Sequence, residues 1–286
     1  MTKIKKNRIK IIICIVLACF LGASGFLYYQ YVQDNKPLPD EAFTVKDGCI
    51  TKINTNKYGG NVIVPEKINN KKITGINWNG KSGYEKVTNF DISRLKDLKD
   101  IHMILPSSLS TVDLSNNTKL ESIDVAFWYG DKNKALDLSH NTKLKKVRIY
   151  YSDLGSINLS NCKELEELDL RINKLTKINL SDCQNVKVVS LRKNNLKSVD
   201  VSKNKKLKSL GVDYNKRIKI VDVSKNPYLE YLGTSNTQVK ELDLSKNPRL
   251  DSILISNTKI KELDISHNLL LKDEYIEKDD TTTIKR

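Results

Sequence analysis

Leu165-Glu166-Glu167-Leu168-Asp169-Leu170-Arg171-Ile172-Asn173-Lys174-Leu175-Thr176-Lys177-Ile178-Asn179-Leu180-Ser181 is the stretch that decides the fold of this 286-residue chain. Apolar residues stand at 165, 168 and 170, then at 175, 178 and 180, with Asn173 between the two runs. The pattern returns 21 residues later as Val186-x-x-Val189-x-Leu191-x-x-Asn194-x-Leu196-x-x-Val199-x-Val201-Ser202. Its closing tetrapeptide reads apolar, Asp or Asn, apolar, Ser. It starts at Phe90, Val112, Leu136, Ile157, Ile178, Val199, Val221, Leu242 and Leu263, with steps of 22, 24, 21, 21, 21, 22, 21 and 21 residues. One period held over nine starts is the mark of stacked coils. Period-2 alternation predicts strands. The run at 168 and 170 should form one rung of a parallel sheet on a concave side, and 178 and 180 should run extended along a convex side. A 21-residue coil leaves no room for a long helix. The expected fold is a mostly β, curved solenoid of eight or nine rungs about 4.8 Å apart, on the order of 40 Å long.

The unit Leu-x-x-Leu-x-Leu-x-x-Asn-x-Leu resembles the repeat of bacterial leucine-rich-repeat surface proteins, the internalin-like and BspA-like group. The resemblance covers roughly two thirds of the chain. It implies a leucine-rich-repeat solenoid and a role in adhesion or host interaction, without naming a ligand. The segment Gly59 to Ile76 is similar to the strand-and-turn opening of BspA-like proteins, with Gly59-Gly60 and Asn69-Asn70 as turn signals.

The polar positions repeat too. Ser152, Asn173, Asn194, Asn215, Thr237 and Thr258 fall just after the concave strand, where a buried amide or hydroxyl can bond turn backbone that would otherwise go unpaired. Ser115, Ser139, Ser160, Ser181, Ser202, Ser224, Ser245 and Ser266 make a second column. Both are expected as hydrogen-bond ladders rather than catalytic or metal arrays. His140 and His267 occupy a loop position held by Lys203 or Lys225 in sister repeats, and His102 lies on the first concave rung facing out. No metal-ligand cluster, phosphate loop or nucleophile elbow occurs. The expectation is a protein that is not an enzyme, without catalytic residues, metal or cofactor.

Residues 1–10 carry Lys3, Lys5, Lys6, Arg8 and Lys10 and no acid, and Ile11 to Tyr29 holds nineteen residues without a charge. A helix of that length spans about 28 Å, close to the bilayer core. The basic flank predicts a cytoplasmic N-terminus, with the repeats extracellular on a single-pass membrane protein. A secretory signal cleaved near Ala23-Ser24-Gly25 is the alternative, and Val16-Leu17-Ala18-Cys19 faintly resembles a lipobox. All three readings export the repeats. Residues 1–29 are thus a membrane anchor or signal peptide, 30–41 a polar linker with Pro37 and Pro39, 42–89 a β-rich N-terminal cap, 90–276 the repeats, and 277–286 a flexible tail. The charge of Glu274, counted onto an inward position, should stop the sheet there. No Leu-Pro-x-Thr-Gly motif occurs, so the expected tether is N-terminal.

The net charge is +15, of which the first ten residues supply five. Abundant Lys, Asn and Ile suit an AT-rich genome and a Gram-positive source. A basic exported surface suits anionic wall polymers, or it serves only to keep the solenoid soluble; nucleic acid is not an expected partner. Cys162 and Cys183 lie 21 residues apart on adjacent coils, each replacing an Asn that other repeats carry after Ser. They read as two buried free thiols, with a disulfide as the alternative.

Candidate ligand positions lie on the concave face. Arg148, Arg171 and Arg192 fall on three successive rungs near Tyr150, a basic and aromatic patch. The 24-residue repeat places its extra residues at or after Phe127-Trp128-Tyr129, beside Tyr150 and Tyr151. Trp, Tyr and Arg anchor interfaces, so Trp128, Tyr129, Arg148, Tyr150, Arg171 and Arg192 are the expected site for a protein or glycan ligand. The competing reading is that Phe127 or Trp128 plugs the core. The leading functional expectation is a membrane-tethered binding protein. The alternative is a non-adhesive envelope protein that associates with anionic wall polymers through its basic surface.

Overall fold

The computed structural model describes residues 36–79, 86–105, 112–127 and 134–286. Pro39–Arg286 form one compact unit. The segment expected as anchor or signal, the first half of the linker, Trp128 and Tyr129 lie outside the described residues; of Phe127, only the backbone is described.

The alternating apolar residues build one 12-stranded sheet. Its strands are Phe43–Lys46, Cys49–Ile53, Gly75–Trp78, Asp100–Leu105, Ser122–Phe127, Lys146–Tyr150, Glu167–Asp169, Val188–Ser190, Ser209–Gly211, Tyr231–Gly233, Ser252–Leu254 and Ile276–Glu277. The first pair is an antiparallel hairpin; every later pairing in this sheet is parallel. Register puts Val147, Leu168, Val189, Leu210, Leu232 and Ile253 in one inward column. All are at most 1% exposed, and burying each contributes about 1.5–3 kcal/mol. On the opposite side of the coils, Asn61–Ile63 pairs with Asn89–Asp91, Lys134–Asp137 with Leu154–Asn158 and Glu262–Asp264 with Thr283–Lys285, all parallel. The mostly β solenoid read from the repeat is the observed architecture.

The ends differ from expectation in two ways. Within 42–89, only the hairpin Phe43–Ile53 acts as a lid on the sheet edge; Gly75–Trp78 is already a parallel rung. Trp78 stacks on Phe90 at 5.9 Å, joining this early coil to the first regular one. Asn69 and Asn70 sit at φ 49° and 61°, making the turn between Lys67–Ile68 and Lys71–Lys72 that the sequence signalled. At the other end Glu274 lies in the short 3-10 turn Asp273–Tyr275, and the inward position is taken by Ile276, which pairs with Ile253. Residues 277–286, expected as a flexible tail, carry the strand Thr283–Lys285 and the buried Thr282.

The first polar column is a buried ladder. Asn173 Nδ2 donates to the carbonyls of Ile149 (2.7 Å) and Leu170 (2.9 Å), and its Oδ1 accepts from the amides of Ser152 and Leu154. Asn194 and Asn215 repeat the arrangement one and two coils on. Thr237 and Thr258 hold only the turn of their own coil: each hydroxyl donates to the carbonyl three residues earlier and accepts from the amide two residues later. Each net bond contributes about 1 kcal/mol, and leaving the buried backbone unpaired would cost more.

The second column is corrected. The serines are not buried; their amides are held by the carboxylate or amide oxygen two residues earlier, from Asp113–Ser115 through Asp264–Ser266. The second buried ladder belongs to the residue two places after each Ser. Asn117, Asn141, Asn204, Asn226, Asn247 and Asn268 are at most 2% exposed, and each donates to two carbonyls of the preceding coil. Cys162 and Cys183 occupy the same column as free thiols. Their Sγ atoms face the carbonyls of Leu138 (3.5 Å) and Leu159 (4.0 Å). Burial pushes the two thiols up to about 11 and about 12.

Candidate functional site

Parallel pairing gives each rung outward side chains in register. One column reads Lys146, Glu167, Val188, Ser209, Tyr231, Ser252, and the next Arg148, Asp169, Ser190, Gly211, Gly233, Leu254. The column after that carries Tyr150, Arg171, Arg192 and Asp213, at the exits of their strands.

The expected basic patch is corrected to a patch of mixed charge. Arg148 bonds Glu167 Oε1 at 2.6 Å and lies 3.9 Å from Asp124; Lys146 reaches the same Glu167 at 3.4 Å. Arg171 Nε lies 3.1 Å from Asp169 Oδ2, and Arg192 Nε 3.3 Å from Asp213 Oδ2. Arg148 and Arg171 both flank Tyr150, one on the same strand and one on the next coil; Arg192 belongs to a separate pair two coils on. Arg171 stacks over the Tyr150 ring at 5.6 Å, and Tyr151 meets that ring edge-on at 6.0 Å. Burial, then the Asp124 charge, raises the Tyr150 phenol pKa. Trp128 and Tyr129 lie outside the described residues.

His102 has a carboxylate partner: its Nδ1 lies 3.6 Å from Asp124 Oδ2, because parallel register sets the two side by side. His140 and His267 are exposed, each 3.3 and 3.1 Å from the hydroxyl of the preceding Ser. The neighbouring Asp137 and Asp264 bond the Ser amide, as in sister coils that carry no His. The arrangement is therefore a turn, not a nucleophile with its base. Among the described residues no group of three or more His, Cys, Asp or Glu could hold a metal, and no helix is long and apolar enough to cross a membrane.

Asp213 was not singled out by the sequence. Its side chain is fully buried, its Oδ1 accepts from Ser235 N, and burial raises its carboxyl pKa against the lowering effect of Arg192. Gly211 and Gly233 make room for it. A Cβ at Gly233 would stand 2.5 Å from Asp213 Oδ2 and 2.7 Å from the Tyr231 hydroxyl. Two glycines in one outward column, two residues from an Asp, were the available signal.

Lysines divide between the two edges of the coils. On the edge leading into the sheet, Lys119, Lys145, Lys187 and Lys208 pair with Asp97, Glu121, Glu166 and Glu230. On the edge leaving it, Lys197, Lys216, Arg217 and Lys219 line an open groove of about 670 Å³ with Ser198, Ile220 and Gln238.

This is the fold of a leucine-rich-repeat solenoid of the internalin-like kind. The InlJ functional domain of Listeria monocytogenes, described as including a cysteine ladder, superposes with TM-score 0.52 at 22% identity, covering 71% of this chain and 53% of that one. The chain thus spans about half the length of that InlJ domain. InlF of Listeria monocytogenes gives TM-score 0.44 at 17% identity over 82% of each chain. The Leptospira interrogans leucine-rich-repeat protein LIC12759 gives 0.39 at 15%, over 74% of this chain and 67% of that one. No family model and no curated protein matches the sequence.

Proposed function

We propose that this chain is a non-enzymatic binding protein that engages a protein or glycan ligand through its concave face, exported and tethered to the cell membrane by residues 11–29, with adhesion or host interaction as its role. The observation that carries the reading is the Tyr150–Arg171 stack. Tyr150 is half-buried, Arg171 covers its ring, and the exposed Tyr151 closes one side. Asp169 holds Arg171 through Nε, so its outer nitrogens are pre-oriented toward solvent at small entropic cost. Amphipathic rings beside an oriented guanidinium suit sugar rings or an acidic, hydroxyl-rich protein surface. Trp128 and Tyr129 extend the site in this reading, with Arg148 and Arg192 flanking it.

The test is binding of the purified protein to bacterial walls and to mammalian cells at low and high salt. Salt-resistant binding to cells, lost at least tenfold in Tyr150→Ala and Arg171→Ala with the melting temperature kept, supports it. Binding that ignores both substitutions would sink it.

A further inference from the structure

We infer that the basic groove on the edge leaving the sheet is a second, independent binding surface, and that its partner is a linear phosphodiester-linked polyol polymer lying along the solenoid axis. The inference does not rest on the concave-face reading. It sharpens the general basic surface into one place.

Four observations carry it. Lys197, Lys219, Lys240 and Lys261 hold the same position on four consecutive coils, so their backbones succeed one another at about 4.8 Å and present one cation per coil. Lys216, Arg217 and Lys259 add to the row, and all seven side chains are exposed. Among the described residues none of the seven is in an ion pair, whereas the opposite edge pairs its lysines coil by coil. Like charges stacked without counter-charge repel one another, which an aligned polyanion would relieve.

The row also lines two grooves. Lys197, Lys216, Arg217 and Lys219 line one without an acid, and Lys240, Lys259 and Lys261 line a second that includes Glu262 and Asp279. The one-residue insertion of the Val199-to-Val221 repeat falls here. Asn194 is followed by one residue before the buried Leu196, but Asn215 is followed by Lys216 and Arg217 before the buried Ile218. That extra residue adds a cation to the acid-free groove.

The chemistry selects the partner. Lysine is a flexible point charge suited to a phosphate diester carrying one delocalised negative charge. Ser198 and Gln238 offer hydrogen bonds to polyol hydroxyls. The lining holds no aromatic ring for base stacking, which disfavours single-stranded nucleic acid.

The experiment uses the full chain, purified in mild detergent, with a defined poly(glycerol phosphate) oligomer as probe and single-stranded DNA and heparin as comparators. One variant replaces Lys197, Lys216, Arg217 and Lys219 with Gln. A control variant of equal charge loss replaces the exposed Lys163, Lys203, Lys225 and Lys246 with Gln. The expected result is oligomer binding that weakens at least tenfold in the groove variant and less than threefold in the control. The slope of log affinity against log salt should fall by about three to four in the groove variant. Tyr150→Ala and Arg171→Ala should leave oligomer binding unchanged, so the two surfaces fail separately. Equal loss in both charge variants, absence of oligomer binding, or tighter binding of DNA or heparin through the same residues would each overturn the inference. Melting curves establish that both variants fold, since all eight side chains are exposed.

Discussion

Cys162 and Cys183 stand on neighbouring coils in a column held by asparagines from Asn117 to Asn141 before them and from Asn204 to Asn268 after them, and each thiol faces a carbonyl of the coil before it, Leu138 O at 3.5 Å and Leu159 O at 4.0 Å. The thiols are fully buried and raised to about 11 and about 12 by loss of hydration. Since the thiolate is the reactive form, both should resist a maleimide or Ellman's reagent in the native protein at pH 7–8. They should label only after denaturation, while the half-buried Cys49 labels ahead of them. Peptide mapping separates the sites; native labelling of Cys162 at the rate of Cys49 would contradict the buried ladder.

The turns after the six successive concave strands from Lys146–Tyr150 to Ser252–Leu254 each place a residue in the left-handed region: Tyr151, Ile172, Lys193, Tyr214, Asn236 and Asn257, with φ between 53° and 59°. For a β-branched residue this conformation is costly. Ile172→Asn, which copies Asn236 and Asn257, should therefore stabilise the protein by about 1 kcal/mol. The Ile172 amide keeps its bond to Arg192 O. A drop in the denaturant midpoint would show instead that the half-buried sec-butyl group matters more than the strain.

Gly211 and Gly233 are neighbours in one outward column but should answer differently to alanine. At Gly233 the new Cβ meets Asp213 Oδ2, the Tyr231 hydroxyl and Asp213 Oδ1 within 2.8 Å, so Gly233→Ala should cost about 1–3 kcal/mol. At Gly211 the nearest atom is Arg192 Cγ at 3.3 Å, part of a flexible stem, and the cost should stay below about 1 kcal/mol. Paired thermal melts decide it, and equal costs would remove Asp213 as the fixed wall of this notch.

The turn carboxylates give the solenoid an acid limit. The hydroxyl and amide of Ser202, Ser245 and Ser266 lower Asp200, Asp243 and Asp264, the last to about 2, and the amide of Ser224 leads at Asp222. These folded values lie below the unfolded value of about 3.9, so the stabilisation is complete above that pH and is lost as pH falls toward 2. Asn158 and Asn179 make the same bond without a charge. The triple Asp200→Asn, Asp222→Asn, Asp243→Asn variant should melt near the parent at pH 7 and show a shallower fall between pH 4.5 and 2.5. An unchanged slope would place the acid sensitivity elsewhere.

The sheet, its inward column and the Asn173–Asn194–Asn215 ladder were legible in the chain because a solenoid repeats local sequence as local structure. The Asn117-to-Asn268 column is equally periodic, but its bonds to the coil before are not legible in the chain: the Ser two residues earlier is where the turn is capped, while the amide beyond it points inward. The C-terminal end departs from the period counted from Leu263. The chain inserts a 3-10 turn at Asp273–Tyr275, and Ile276 takes the inward place.

The sequence by itself determined the coil period, the mostly β class, the inward residues and the positions facing out. Tertiary structure alone decided how the charges resolve. Arg148 meets Glu167 and Asp124, Arg171 meets Asp169, and Arg192 meets Asp213, while Lys197, Lys216, Arg217 and Lys219 are left together. Periodicity says which face a residue is on, because that depends on the backbone alone. Which charges come within 4 Å across neighbouring coils depends on register, side-chain reach and the room left by residues such as Gly211 and Gly233, and these exist only once the coils are stacked.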